Sequence, residues 1–260
     1  MVSYTLGSFF TVNHSGIYLH KVSIAYDRQL VIDDLSGAFE FGTMTAITGP
    51  NGAGKSTLIK TIMGELLPDS GKIDLGGISN STLGYLPQSL TIDRSFPISV
   101  IDTVILGTWP RIGPFSGVTS EMEYEATDAL SAVGLSGFGR RSICTLSAGQ
   151  FQRVLFARLL LQDPKIILLD EPFNLIDNRT TQDLLSIIVR WHDEKRTIII
   201  ILHDFEQIRA HFPNTLLLAR KSIAWGPTEN TLSSANLLSA QSIADGWSKE
   251  PKLYSKLLEI

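Results

Sequence analysis

Gly49-Pro50-Asn51-Gly52-Ala53-Gly54-Lys55-Ser56-Thr57 decides the fold. It fits the pattern G-x-x-x-x-G-K-[ST] of a phosphate-binding loop. Gly52 and Gly54 permit backbone conformations that a Cβ forbids, so successive N–H groups turn inward around a phosphate. Lys55 supplies a compact positive charge for the β- and γ-phosphates. The Ser56 hydroxyl suits Mg²⁺, a hard cation that takes oxygen ligands. Thr43 to Thr48 reads as a buried strand entering the loop, and Ser56 to Met63 as a helix leaving it. The positive end of that helix then faces the phosphates. The loop predicts a nucleoside triphosphate site and leaves its use open.

A second cluster follows downstream. Ile166-Ile167-Leu168-Leu169-Asp170-Glu171 is an apolar strand ending in two carboxylates. In a doubly wound sheet, ligands bind at such strand ends. Asp170 is placed for Mg²⁺ and Glu171 to polarise an attacking water. Leu146-Ser147-Ala148-Gly149-Gln150 opens a helix: Ser147 can cap it, and Gly149 admits a close neighbour.

The rest of the chain supports an α/β domain. Strands are predicted over Ile17–Ala25, Gln29–Phe39, Lys72–Leu75, Leu83–Leu86, Lys165–Leu169, Thr197–Leu202, Thr215–Ala219 and Ser222–Trp225. The first two read as antiparallel edge strands. Helices are predicted over Val100–Leu106, Glu121–Val133, Ala148–Gln162 and Thr180–Arg190, with short ones near Asn236–Ile243 and Lys252–Leu258. Gly107–Gly117 reads as a loop. Alternating strands and helices imply a mostly parallel sheet covered on both faces. The interval from Gln88 to Leu146 reads as a helical insertion.

Composition narrows the partners. The 260 residues are 43% hydrophobic, and the net charge is −4. An acidic balance, with a pI of about 5.7, weighs against nucleic acid, which wants a basic face. The single cysteine, Cys144, excludes an intramolecular disulfide and reads as a small buried hydrophobe. No apolar run approaches the roughly 20 residues of a membrane span, and no secretory leader is evident. Any membrane role is then peripheral. The five histidines are scattered, without metal-ligand spacing.

Together these motifs resemble the ATP-binding cassette family, the nucleotide-binding subunits of ABC transporters. Gly49–Thr57 matches its Walker A, Gln88 its Q-loop, Leu146–Gln150 its signature, Ile166–Glu171 its Walker B, Asp177 its D-loop and His203 its switch histidine. The resemblance runs from about Tyr26 to Trp225. It implies a P-loop NTPase (RecA-like) core with a mostly parallel sheet, an antiparallel β edge subdomain and an inserted α-helical subdomain. The implied division is a single ABC ATPase domain: a core of about 1–88 and 150–225, a helical subdomain of about 89–149, and a tail of about 226–260.

The resemblance also implies a mechanism. Two cassettes form an ATP-bound homodimer, head to tail, around two ATP molecules. Each ATP lies on one subunit's phosphate loop and meets the other's Ser147, Gly149 and Gln150. Tyr26 stands where the family stacks an aromatic on adenine. Ser56, Asp170 and Gln88 serve Mg²⁺, Glu171 is the catalytic base, and His203 contacts the γ-phosphate. Two departures from the pattern stand out. Ala148 replaces the usual glycine, and Asn174 and Ile176 replace smaller residues.

Asp93-Arg94-Ser95-Phe96-Pro97-Ile98-Ser99-Val100-Ile101-Asp102, with Gly107, Trp109-Pro110-Arg111 and Gly113, is similar to the ATPase subunits of zinc- and manganese-type importers. This implies integral permease subunits docking near Gln88–Phe115, with Phe96, Trp109 and Phe115 as candidate contacts. It also implies an extracytoplasmic metal-binding protein, a place on the cytoplasmic face of the cell membrane, and zinc ahead of manganese as cargo. An ABC transporter of ferric chelates is the alternative. A soluble ABC ATPase of DNA repair needs a long coiled coil between Gln88 and Leu146. One of translation needs two cassettes. A small-molecule kinase shares the loop but not the signature or His203.

Overall fold

The computed structural model describes residues 15–26, 29–79, 82–88, 92–113 and 117–247. β1 (Gly16–Tyr26), β2 (Gln29–Glu40) and β4 (Ser70–Asp74) form an antiparallel sheet in the order β2-β1-β4. Six other strands form the main sheet: β3 (Met44–Thr48), β5 (Leu83–Leu86), β6 (Ile166–Asp170), β7 (Thr197–Ile201), β8 (Asn214–Ala219) and β9 (Lys221–Pro227). Their order is β5-β6-β7-β3-β8-β9. All neighbours are parallel except β9, which returns antiparallel to β8.

β3, β6 and β7 are buried at every residue, as strands covered on both faces must be. Alternate side chains then serve different cores. Ile167, Leu169, Ile198 and Ile200 pack under the helices, around Phe156 and Trp191. Ile166, Leu168, Ile199 and Ile201 pack toward the small sheet, against Leu58, Ile59, Ile32 and Phe39. The phosphate loop is thus carried by a strand fixed from both sides.

The helices are α1 (Lys55–Ile62), α2 (Val100–Ile105), α3 (Trp109–Ile112), α4 (Ser120–Ala132), α5 (Ala148–Gln162), α6 (Asn178–Asp193), α7 (Phe205–His211), α8 (Thr228–Thr231) and α9 (Ser234–Trp247). The helical insertion holds α2, α3 and α4, which lie against α5. Ser99 caps α2, and Thr119 caps α4.

Several sequence expectations are corrected. Within the expected loop Gly107–Gly117, residues 107–112 are helical. A 3₁₀ turn at Leu106–Thr108 leads into α3, where Pro110 sits in the first turn, a position that tolerates its missing N–H. α7 was not foreseen. Asp204 starts it by accepting the N–H groups of Glu206 and Gln207 at 2.9 and 3.1 Å. Near Asn236–Ile243 the tail forms the longer α9, preceded by α8. Cys144 is exposed; in its 3₁₀ turn the neighbouring Ile143 takes the buried place. The expected helix at Lys252–Leu258, and Phe115, lie outside the described residues.

Candidate active site

β7 lies between β3 and β6. The carboxyl ends of these three strands therefore bring the phosphate loop, the Asp170-Glu171 pair and His203 side by side. The loop enters tightly. A Cβ on Gly49 would fall 1.9 Å from Leu218 O, at a φ of +145°. Ala53 is fully buried, and its carbonyl accepts Arg220 N at 3.1 Å. α1 follows with no side-chain cap, so its first N–H groups remain for an anion. Asn51 and Gly52 are exposed at the loop's tip, and Thr57 is half-buried in α1.

Lys55 is 6% exposed and donates to Gly49 O and Pro50 O at 2.8 and 2.9 Å. Burial holds its pKa below the ordinary lysine value, against the opposing charges of Glu171 and Asp170. The ammonium is thus pinned to the loop, ready to exchange carbonyl oxygens for phosphate oxygens. Ser56 Oγ donates to Asp170 Oδ1 at 3.1 Å. Burial pushes the Asp170 carboxyl up, with the Ser56 hydrogen bond pulling the other way. A hydroxyl and a carboxylate meeting beside a phosphate site form the all-oxygen donor set that suits Mg²⁺, so these residues fit the ion.

Glu171 has both carboxylate oxygens engaged. Oε1 lies 2.6 Å from His203 Nε2, and Oε2 accepts from Asn174 Nδ2. Its φ of +48° is uncommon for a residue with a Cβ. The two contacts hold the carboxylate at the strand end. Gln88 follows β5 two residues past Leu86, which pairs with Leu169, and so leaves the sheet at the same end. Tyr26 is 45% exposed at the end of β1. The partner strand β2 borders the phosphate loop, since a Cβ on Gly54 would meet Val31 O and Ile32 at 2.8 Å.

The other half of the motif set stands apart. Ser147 Oγ accepts Gln150 N at 3.2 Å while Gln150 Oε1 accepts Ser147 N at 3.1 Å, a reciprocal cap on α5. Among the described residues no hydrogen bond or ion pair joins Ser147, Gly149 or Gln150 to the phosphate loop. Asp177 caps α6, accepting Thr180 N at 2.9 Å and Thr180 Oγ1 at 2.8 Å. Those bonds hold its carboxyl below the usual range.

Sequence reasoning missed two kinds of residue. Asn174 entered only as a departure from a pattern, yet it binds Glu171. Its one signal was a place three residues past Glu171, within reach across a turn. Leu237, Ala240 and Gln241 of α9 share a cavity of about 250 Å³ with Gly49, Pro50 and His203. Nothing in the sequence pointed the tail at the loop.

The sequence model of the ABC transporter family matches residues 32–174. The manganese transport system ATP-binding protein MntB of Listeria innocua is 37% identical over 223 residues, 84% of this chain and 93% of that protein. The zinc transport system ATP-binding protein TroB of Treponema pallidum is 34% identical over 214 residues, 81% of this chain and 80% of that one. Among solved structures, a transporter described as metal-chelate type, in an inward-facing conformation, superposes with a TM-score of 0.78 at 29% identity. That match covers 87% of this chain and 89% of that one. The chain belongs to the ABC transporter family, as an ATP-binding cassette with the ATPase activity of that subunit.

Proposed function

We propose that this cassette energises a membrane importer of a divalent metal, manganese or zinc. The observation that carries the reading is the pair of relatives named for manganese and zinc transport, each spanning most of this chain. The sequence reading put zinc first. The relatives give that order no support, and manganese stands level with it.

The residues divide the work. Lys55 and the free N–H groups of α1 bind the β- and γ-phosphates. Ser56 and Asp170, with Gln88, would hold Mg²⁺, which would supply positive charge to offset that developing between the phosphates. Glu171 accepts the proton of the attacking water. His203 Nε2 and Asn174 Nδ2 orient Glu171, and His203 reaches the γ-phosphate. Tyr26 stacks on adenine. In a head-to-tail homodimer, Ser147, Gly149 and Gln150 of one subunit close over the ATP of the other, beside Asp177.

Among the described residues no helix is long and apolar enough to cross a membrane. Attachment at the cytoplasmic face then runs through permease subunits docking on the helical subdomain, about residues 89–149. Phe96 and Trp109, 64% and 46% exposed there, are apolar side chains offered to such a partner. An extracytoplasmic metal-binding protein completes the importer.

The test is metal content and uptake of manganese, zinc and iron in chelator-starved cells. Cells carrying the wild-type chain are compared with cells carrying Glu171→Gln as the only copy. Selective loss of manganese or zinc supports the reading and names the cargo. Unchanged manganese and zinc uptake refutes it.

A further inference from the structure

Arg94 takes no part in the chemistry described so far. It lies between β5 and α2, where Asp93 Oδ1 accepts Ser95 N at 2.8 Å and turns the chain. The half-buried guanidinium reaches across to the approach of the signature. Nη2 donates to Leu146 O and, at 3.3 Å, to Ile143 O. Its central carbon lies 4.8 Å from the centre of the Phe151 ring. Leu146 immediately precedes the Ser147 cap, and Phe151 lies in the first turns of α5.

The backbone around it is laced in the same direction. Ile143 N donates to Ile98 O at 3.1 Å, Val100 N to Arg141 O at 2.8 Å, and Ile101 N to Gly139 O at 3.0 Å. Residues 98–101 and 139–143 are therefore tied by backbone hydrogen bonds, and Arg94 is the side chain at the signature end of this strap. A partly buried guanidinium is a poor choice for stability alone, because its desolvation offsets much of what it gains. Its planar fork and face suit a different task, fixing direction: one edge orients a carbonyl while the face lies on an aromatic ring.

We propose that Arg94 is a positioning residue for the ATP site of the opposite subunit. By holding Leu146 O and covering Phe151, it sets the angle at which Ser147 and Gly149 meet that ATP. The proposal rests on the head-to-tail dimer described under Proposed function.

The test uses the purified full chain in the Glu171→Gln background, where ATP is bound but not consumed. Two quantities are measured: ATP affinity of the monomer, by fluorescent-nucleotide displacement, and ATP-driven dimerisation, by sedimentation. Arg94→Met keeps most of the stem and removes the fork. It leaves monomer affinity within about twofold and weakens dimerisation about tenfold or more, the scale for losing hydrogen bonds to a charged group. Arg94→Lys keeps a donor for Leu146 O without the planar face, and falls between. If Arg94→Met does not fold, Arg94→Lys decides by the same criterion. Unchanged dimerisation overturns the proposal, as does a parallel loss of both affinities, which marks a merely structural role. If Glu171→Gln with Arg94 intact forms no ATP-dependent dimer, the head-to-tail reading itself fails and the proposal falls with it.

Discussion

Replacing Glu171 by Gln changes one atom type and almost no shape. The structure says what the change leaves intact. In the native chain Oε2 accepts from Asn174 Nδ2 and Oε1 faces His203 Nε2 at 2.6 Å. A glutamine carbonyl can take the Asn174 bond. Its amide then faces His203, whose ring nitrogen accepts in the other tautomer. Both anchors survive, so the side chain stays at the strand end. Lys55, Ser56 and Asp170 touch neither changed atom, so ATP binding is retained. What disappears is the basic oxygen. Losing a general base costs about 10²- to 10⁴-fold in rate, equivalent to about 3–5 kcal/mol of barrier.

The assay is phosphate release at saturating ATP and Mg²⁺, alongside nucleotide affinity measured separately. A rate within about threefold of wild type removes Glu171 from the role of base, since that is far below the smallest effect of losing one. A normal rate loss accompanied by lost ATP affinity refutes a different step. It means that the His203 and Asn174 contacts do not hold the amide as they hold the carboxylate.

Asn174→Ala removes one of those anchors. Asn174 is exposed, so solvent screens the bond, and about 1 kcal/mol, or a three- to tenfold fall in kcat with unchanged nucleotide affinity, is expected in steady-state assays. Asp170→Asn abolishes Mg²⁺-dependent turnover but stabilises the nucleotide-free cassette at pH 7, read as a higher Tm. The sign follows from the raised folded pKa. As pH rises, the unfolded chain releases the Asp170 proton first, near its ordinary value of 3.8, so wild-type stability falls through the window up to the folded value. The gap between variant and wild type therefore closes as pH falls toward that ordinary value. Gly49→Ala forces a Cβ to within 1.9 Å of Leu218 O at a φ of +145°. It is expected to cost about 3 kcal/mol in urea unfolding, together with ATP binding; an unchanged midpoint refutes the account of how β8 braces the loop.

What could be read from the sequence was local. The β-branched run Thr197–Leu202 announced a buried strand of a parallel sheet, and β7 is buried at every residue. Lys55 and Ser56 at the start of α1, and Asp170 and Glu171 at the end of β6, could be located because each motif carries its own local pattern. What escaped depended on neighbours distant in the chain. α7 is seven residues long, too short for periodicity to show, and only its Asp204 cap marked it. Cys144 went wrong because composition says small and apolar, while the turn gives the buried place to Ile143. The reach of Arg94 to Leu146 spans 52 positions. No pattern in either segment specifies it.

Gly149 shows how a correct motif can hide part of its reason. The sequence reads its missing side chain as room for an approaching ligand. In the folded chain, the Cβ that glycine lacks would stand 3.4 Å from Thr180 Oγ1 and 3.7 Å from Asp177 Oδ2. The start of α5 therefore lies against the start of α6 within one subunit. Arg153 fastens the same junction, donating to Asp183 at 2.6 Å and to Val133 O, at the end of α4, at 2.9 Å. Ala148, the departure from the usual glycine, is exposed beside this junction and leaves it undisturbed. Ser147 caps one helix of this junction and Asp177 the other, so signature and D-loop are packed side by side. In the head-to-tail dimer proposed above, this junction would tie the placement of Asp177 to that of Ser147.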